Sequence, residues 1–290
     1  MTVIREKGYY HWDGTLVERR FPWWPITRTG IQLAFRKKRF KLFFAAAYLP
    51  SLVFLGALYV SERLEDFKFM LRGSERIIQI TPGSFKTYMT NDGFLFLLVL
   101  VLVFAGSGLV ADDLKHNSLQ LYFARPLRKR DYLLGKMSVV FFFMLILTLV
   151  PGLLLFAFKL IFSGSFKFFT AYPWLPLSII AYTVVLTVFF AFYTLLLSAL
   201  SKNSRYVMIL IFMVYLFSDI LYGILHGIFR TPYMALFSIK SNLAQAGAWL
   251  FGQKPPFGFP TFWSFSVLAA LCAVAALVLS RRIRSVEVIK

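Results

Sequence analysis

Six apolar runs, at 42–60, 94–110, 137–158, 174–200, 207–229 and 262–280, are each long enough to cross a bilayer, and a chain that carries six has few folds open to it. In hydrocarbon each backbone N–H and C=O has to find its partner inside the protein, so runs of this length are helices. Only Asp219 places a formal charge inside them. Prolines interrupt two, Pro50 in the first and Pro151 in the third, and both predict kinks. The expected fold class is therefore an all-α integral membrane protein with six transmembrane helices. A hydrophobic fraction of 59% with only 16% charged residues excludes a soluble domain of 290 residues.

The formal charge of +19 raises the question of nucleic acid. The basic residues flank the apolar runs and do not gather on one soluble face, so we read them as topology signals and contacts with membrane lipid, with no nucleic-acid partner. Their distribution sets the orientation. With both termini inside, the inner segments hold twenty-one Lys and Arg and the outer loops nine. The loop from 61 to 93 balances five bases with five acids, which suits the outer side. Residues 1–24 form a polar N-terminal segment on the cytoplasmic side with no cleavable signal, and 25–290 form a single membrane domain.

Ahead of the first run, a helical pattern over about 25–41 puts Arg28, Gln32, Arg36 and Arg39 on one stripe and Ile26, Gly30, Leu33 and Ala34 on the other. That is the pattern of an amphipathic helix lying along the headgroups. Between the second and third runs the chain reads AGSGLVADDLKHNSLQLYFARPLRKRDYLLGK, from Ala105 to Lys136. Asp112 and Asp113 suit the N-terminus of a short helix, where unpaired N–H groups favour negative charge. Leu114, Leu121 and Tyr122 recur at helical spacing while Lys115, His116, Asn117 and Gln120 stay polar, and Arg125-Pro126 ends the helix. Two readings of this stretch stand: a basic loop that only fixes topology, and a docking helix that a cytoplasmic partner pushes.

Glycines, an acidic pair, a short helix, Arg-Pro, a basic cluster and then Tyr132-Leu133-Leu134-Gly135-Lys136 together resemble the first cytoplasmic loop of ABC exporter permeases of the type 2 superfamily. The resemblance implies a coupling helix that seats on a separate ATPase subunit, and it carries that role onto Asp112, Asp113, Leu114, Lys115, Leu119 and Leu121. Re-entry into the membrane falls on Pro126, Tyr132, Gly135 and Lys136. The family commonly has a glutamate where Asp113 stands. The interfacial helix with Arg28, Arg36 and Arg39 becomes the family's elbow helix. The resemblance further implies two copies of an ABC ATPase that bind ATP and Mg, a second permease copy or sister permease, and a bacterial cytoplasmic membrane.

Chemistry on this chain itself finds little support. Gly135-Lys136-Met137 lacks the preceding glycine and the Ser or Thr of a phosphate loop, so no cofactor is expected on this chain. His11, His116 and His226 lie far apart without metal-ligand spacing, so no metal site is expected. Ala105-Gly106-Ser107-Gly108 lacks the first glycine of a membrane serine protease motif, and the sole cysteine, Cys272, reads as a small buried hydrophobe. Asp219 costs about 2.5 to 3.5 kcal/mol inside a span unless it faces protein or water. It is either a hydrogen-bonded acid that ties spans together or a group on a pathway. Gly223 and Gly227 have the spacing that lets helices approach closely, and the resemblance places them with Asp219 at a dimer interface. An ion-coupled carrier centred on Asp219 and a non-transporting scaffold are the alternatives to an ATP-driven permease subunit.

Overall fold

The computed structural model describes residues 21–63, 80–123 and 127–283, apart from the side chains of Leu121 and Phe123. Pro126 and most of the polar N-terminal segment therefore lie outside the described residues. All regular structure among the described residues is helical. Six helices are long and apolar enough to span a membrane: Lys38–Glu62, Pro82–Lys115, Lys129–Ser163, Leu175–Leu200, Ser204–Phe229 and Thr261–Arg282.

The fourth span, Leu175–Leu200, is the hub of the bundle and packs on the second, third, fifth and sixth. Ile179, Tyr182, Leu186, Phe190 and Leu195 on it are fully buried. Lipid tails are as apolar as these side chains, so close steric fit rather than water exclusion has to hold the spans together. Gly106 illustrates the fit, because any Cβ there would collide with Thr194 of the fourth span. The first, fifth and sixth spans are peripheral: only 17%, 17% and 22% of their most apolar windows is buried, which leaves their outer faces open.

Both proline runs bend, and the bends are joined. Pro151 has no N–H, and the third span relaxes into a π turn over Leu145–Leu149 just ahead of it. By i to i+5 counting, that wide turn sets the Ile146 carbonyl opposite the proline nitrogen. The hydroxyl of Tyr48, at the bend before Pro50 in the first span, donates to this carbonyl at 3.1 Å. At the outer ends of the same spans, Lys159 pairs with Glu62 and lies 5.2 Å from the centre of the Phe168 ring. A lysine here would be expected to snorkel toward water, but the Glu62 carboxylate keeps it buried.

Three boundaries differ from the sequence pattern. The elbow helix runs Trp24–Arg36 and stops at Lys37, whose backbone is extended; Lys38 to Lys41 already belong to the first span. Leu33, expected on the inward stripe, is 51% exposed. A helix at Pro82–Met89, started by the Thr81 N–H donating to Ser84 Oγ at 3.2 Å, extends the second span into what reads as outer loop. Finally, the outer helix Ile239–Leu250, between the fifth and sixth runs, packs into the bundle. Its Leu243, Gln245, Ala246 and Gly247 are buried among the fourth, fifth and sixth spans and the Pro82–Met89 helix. The polar side chains that go in with it are served locally: Gln245 Nε2 donates to the Phe259 carbonyl at 2.9 Å, and Asn242 Nδ2 to the Leu236 carbonyl at 2.7 Å.

Candidate functional site

Near the C-terminal end of the second span the helix breaks at Ser107 and resumes as Gly108–Lys115. Two side chains hold this break. Ser198 of the fourth span donates its hydroxyl to the Ser107 carbonyl at 2.9 Å and accepts the N–H groups of Val110 and Ala111 at 3.0 and 3.1 Å. From the other side, Lys37 at the junction of elbow and first span donates its ammonium to the Phe104 carbonyl at 3.0 Å. Burial of the Lys37 amine lowers its pKa, and the charge of Asp112 partly restores it.

The two aspartates therefore stand in the last turns of a helix and not at the start of one. Asp112 folds back over Gly108, and its carbonyl receives the His116 ring Nδ1 at 2.8 Å. Asn117, in the left-handed region at φ 52°, then turns the chain into the short helix Ser118–Phe123. The macrodipole argument that placed the acids at an N-terminus is corrected here: a carboxylate near a C-terminal turn is unfavourable unless a cation offsets it. Asp113 has that cation. Lys136 of the third span meets its Oδ2 at 2.7 Å, and the Tyr132 hydroxyl donates to the same oxygen at 2.7 Å.

Tyr132 and Lys136 are one helical turn apart on the third span, so they reach Asp113 from one face. The Lys136 ammonium stands 5.5 Å from the Tyr132 ring centre and 5.9 Å from that of Tyr122, and the two rings are 5.4 Å apart. Burial and the Asp113 charge together raise the pKa of Tyr122. An adjoining face of the third span seats the elbow. Thr27 Oγ1 donates to the Gly135 carbonyl at 3.0 Å, and a Cβ on Gly135 would lie 2.9 Å from both the Ile26 Cβ and the Trp23 carbonyl. Elbow, second span, third span and fourth span thus converge on one shoulder of the bundle, on the side where the sequence reading expects the cytoplasm.

The sequence-predicted residues divide accordingly. Asp113, Tyr132, Gly135 and Lys136 are brought together. Leu114 and Leu119 are half-buried against the bundle, while Lys115, His116, Asn117 and Gln120 are exposed. Arg28, Arg36 and Arg39 are exposed as the elbow pattern requires. Thr27, Lys37 and Ser198 carry contacts that the sequence reading did not single out. Their only sequence signal is a polar residue on the apolar side of a helix or in a one-residue break.

Asp219 lies apart from this shoulder, in the C-terminal half of the fifth span. Lys240 of the outer helix donates to its Oδ2 at 2.9 Å and to Asp92 Oδ2 at 3.1 Å, and Ser238 Oγ donates to its Oδ1 at 3.1 Å. These bonds tie the fifth span to the outer helix and, through Lys240, to the second span. Gly223 and Gly227 are exposed, and a Cβ on either would meet nothing within 4 Å among the described residues.

No curated protein matches the chain. The family model described as ABC-2 family transporter protein matches residues 32–281, from within the elbow helix to the end of the sixth span. With six membrane-spanning helices and a match over most of its length, the chain belongs to the ABC-2 family of transporter proteins and is an integral membrane permease of the ABC transporter kind.

Proposed function

We propose that this permease is an exporter subunit worked by a separate ATPase, and that the cytoplasmic shoulder is where the ATPase acts. The observation that carries the reading is the Asp113 cluster, which fastens the end of the second span to the start of the third on either side of one short loop. A push on that loop moves two spans as a unit. Of the residues from Asp112 to Leu121, the exposed Lys115, His116, Asn117 and Gln120 make the contact, and Leu114 and Leu119 anchor the loop to the bundle. Two ATPase copies bind ATP and Mg, and their closure favours one arrangement of the loop over the other. That difference in binding free energy is the coupling.

The open face of the fifth span, with Ile209, Met213, Phe217, Ile220 and Ile224 beside Gly223 and Gly227, meets a second permease copy across the route. A bacterial cytoplasmic membrane with both termini inside fits the charge distribution. The pairing of Asp219 with Lys240 and Ser238 weighs against a proton carrier built on that acid.

The test is a mild-detergent pull-down of the full chain from its native host, comparing wild type with a Lys115→Glu, Gln120→Glu double variant. Both substitutions are at exposed positions, and size-exclusion profiles check that the bundle survives. An ATPase that accompanies wild type and is lost from the variant supports the reading. No ATPase with wild type, under conditions that keep other membrane complexes intact, overturns it.

A further inference from the structure

One face of the first span joins a charged end to an apolar length. Lys38 and Lys41 are followed on it by Leu42, Ala45, Leu49 and Val53, all exposed and recurring every three or four residues. From Lys41 to Val53 the face runs roughly 18 Å at ~1.5 Å per residue, a little more than half of a ~30 Å hydrocarbon core. Arg36 at the end of the elbow and Arg39 at the start of the span are exposed beside the two lysines.

The corner that carries these bases is held in place from behind. Phe40 is fully buried among them, with its ring centre 5.2 Å from that of Phe35 and 4.9 Å from that of Phe143. Lys37 is committed to the Phe104 carbonyl. Arg36, Lys38, Arg39 and Lys41 have no ion-pair partner among the described residues, so four charges stand uncompensated at the edge of an apolar surface.

Charge and shape together select the partner. A second permease copy related by an axis along the membrane normal would bring the same bases of both copies to one level, where like charges repel. A soluble acidic protein would satisfy the bases and leave the apolar face uncovered. An amphiphile with an anionic head and a hydrocarbon tail satisfies both.

We infer that an anionic phospholipid binds at this corner, its phosphate head on Arg36, Lys38, Arg39 and Lys41 and an acyl chain along the face from Leu42 to Val53. This is a particular site, distinct from the general attraction of a basic chain to lipid. Each base near an anionic membrane surface contributes roughly fivefold in affinity. The inference does not rest on the ATPase, so its failure leaves the transport reading standing.

The full chain in a nonionic detergent is titrated with dioleoyl phosphatidylglycerol, and bound lipid is counted by native mass spectrometry. Dioleoyl phosphatidylcholine, with the same tails and no net charge, is the comparator. Saturable binding of phosphatidylglycerol is expected, with an apparent Kd at least about fivefold below that of phosphatidylcholine. The triple variant Arg36→Gln, Lys38→Gln, Arg39→Gln is expected to weaken phosphatidylglycerol binding roughly tenfold or more and to leave phosphatidylcholine unchanged. Thermal melting verifies the fold; should the triple variant fail, Arg39→Gln alone is expected to weaken binding about fivefold. Lys202→Gln with Arg205→Gln, exposed bases between the fourth and fifth spans, is expected to keep the preference. Glycerol phosphate, the head without its tails, is expected not to displace the lipid at equal concentration. The inference is overturned by equal binding of the two lipids, by a preference that survives the corner variants, or by one lost equally in the Lys202 and Arg205 control. Displacement by glycerol phosphate overturns it too, since the apolar face would then count for nothing. Corner variants that keep the lipid preference but lose a protein in the pull-down would assign the corner to that protein instead.

Discussion

Lys136 and Asp113 sit on different spans, and their ion pair at 2.7 Å is nearly closed to solvent, with side chains 10% and 14% exposed. Breaking a buried pair by removing one partner leaves the other charge without compensation, at a cost of roughly 3 to 5 kcal/mol. Lys136→Met is expected to lose stability in that range, lowering the melting temperature in detergent. Asp113→Asn combined with Lys136→Met is expected to recover much of it. Additive losses in the double variant would mean that the two side chains are not coupled.

Gly106 of the second span lies against Thr194 of the fourth, whose methyl group an added Cβ would meet. Gly106→Ala is expected to destabilise the bundle by about 1 to 3 kcal/mol through overpacking. Thr194→Ser removes only the methyl group that the new Cβ meets, so the combined variant is expected to melt close to wild type. If Thr194→Ser gives no rescue, the clash lies elsewhere.

Ser198 serves three backbone groups at the break in the second span. Ser198→Ala deprives a buried carbonyl and two N–H groups of their side-chain partner, and a loss of about 1 to 3 kcal/mol follows. Hydrogen exchange is expected to rise at Val110 and Ala111 and to stay unchanged in the sixth span. Uniform exchange across the chain would argue against a local role.

Lys240 ties the outer helix to the second and fifth spans, and the pH dependence of that tie has a definite sign. Burial lowers its pKa, but the hydrogen bonds and charges of Asp219 and Asp92 more than reverse this, and the net shift is upward from 10.5. A lysine with a raised folded-state pKa contributes stability that is complete below its unfolded value and is lost as pH rises through the folded one. The melting difference between wild type and Lys240→Met is therefore expected to hold steady from pH 7 to 9 and to shrink only above the ordinary lysine range. A difference that fades between pH 7 and 9 would show that the tie is not made by the ammonium.

The spans were legible because hydrocarbon imposes one solution on a long apolar run, whatever its details. The acidic pair was misplaced for a related reason. Asp112-Asp113 after a Gly-Ser-Gly break reads as a helix start, and only the folded chain reveals that the second span continues through the break and that Lys136 offsets the charge. Asp113 and Lys136 are connected by no local pattern; their contact depends on how two spans cross. Lys37 ends the elbow although nothing in Arg36-Lys37-Lys38-Arg39 opposes a helix, because the chain must change direction there and the Phe104 carbonyl waits for its ammonium. The partner of Asp219 is hidden for the same cause, since Lys240 arrives from a helix between the fifth and sixth spans.

The Tyr48 hydroxyl on the Ile146 carbonyl has a mechanical meaning. Each proline makes its own helix locally compliant, and a lone soft point in a strut buckles in whatever direction the load supplies. Joined by one hydrogen bond at a common depth, the two soft points share an axis, so the first and third spans flex together and in one plane. Stiffness is then concentrated at the Asp113 shoulder and at the Glu62–Lys159 fastening, with the give between them. A chain built this way turns a small displacement at one membrane face into a rotation, where a uniformly flexible bundle would dissipate it.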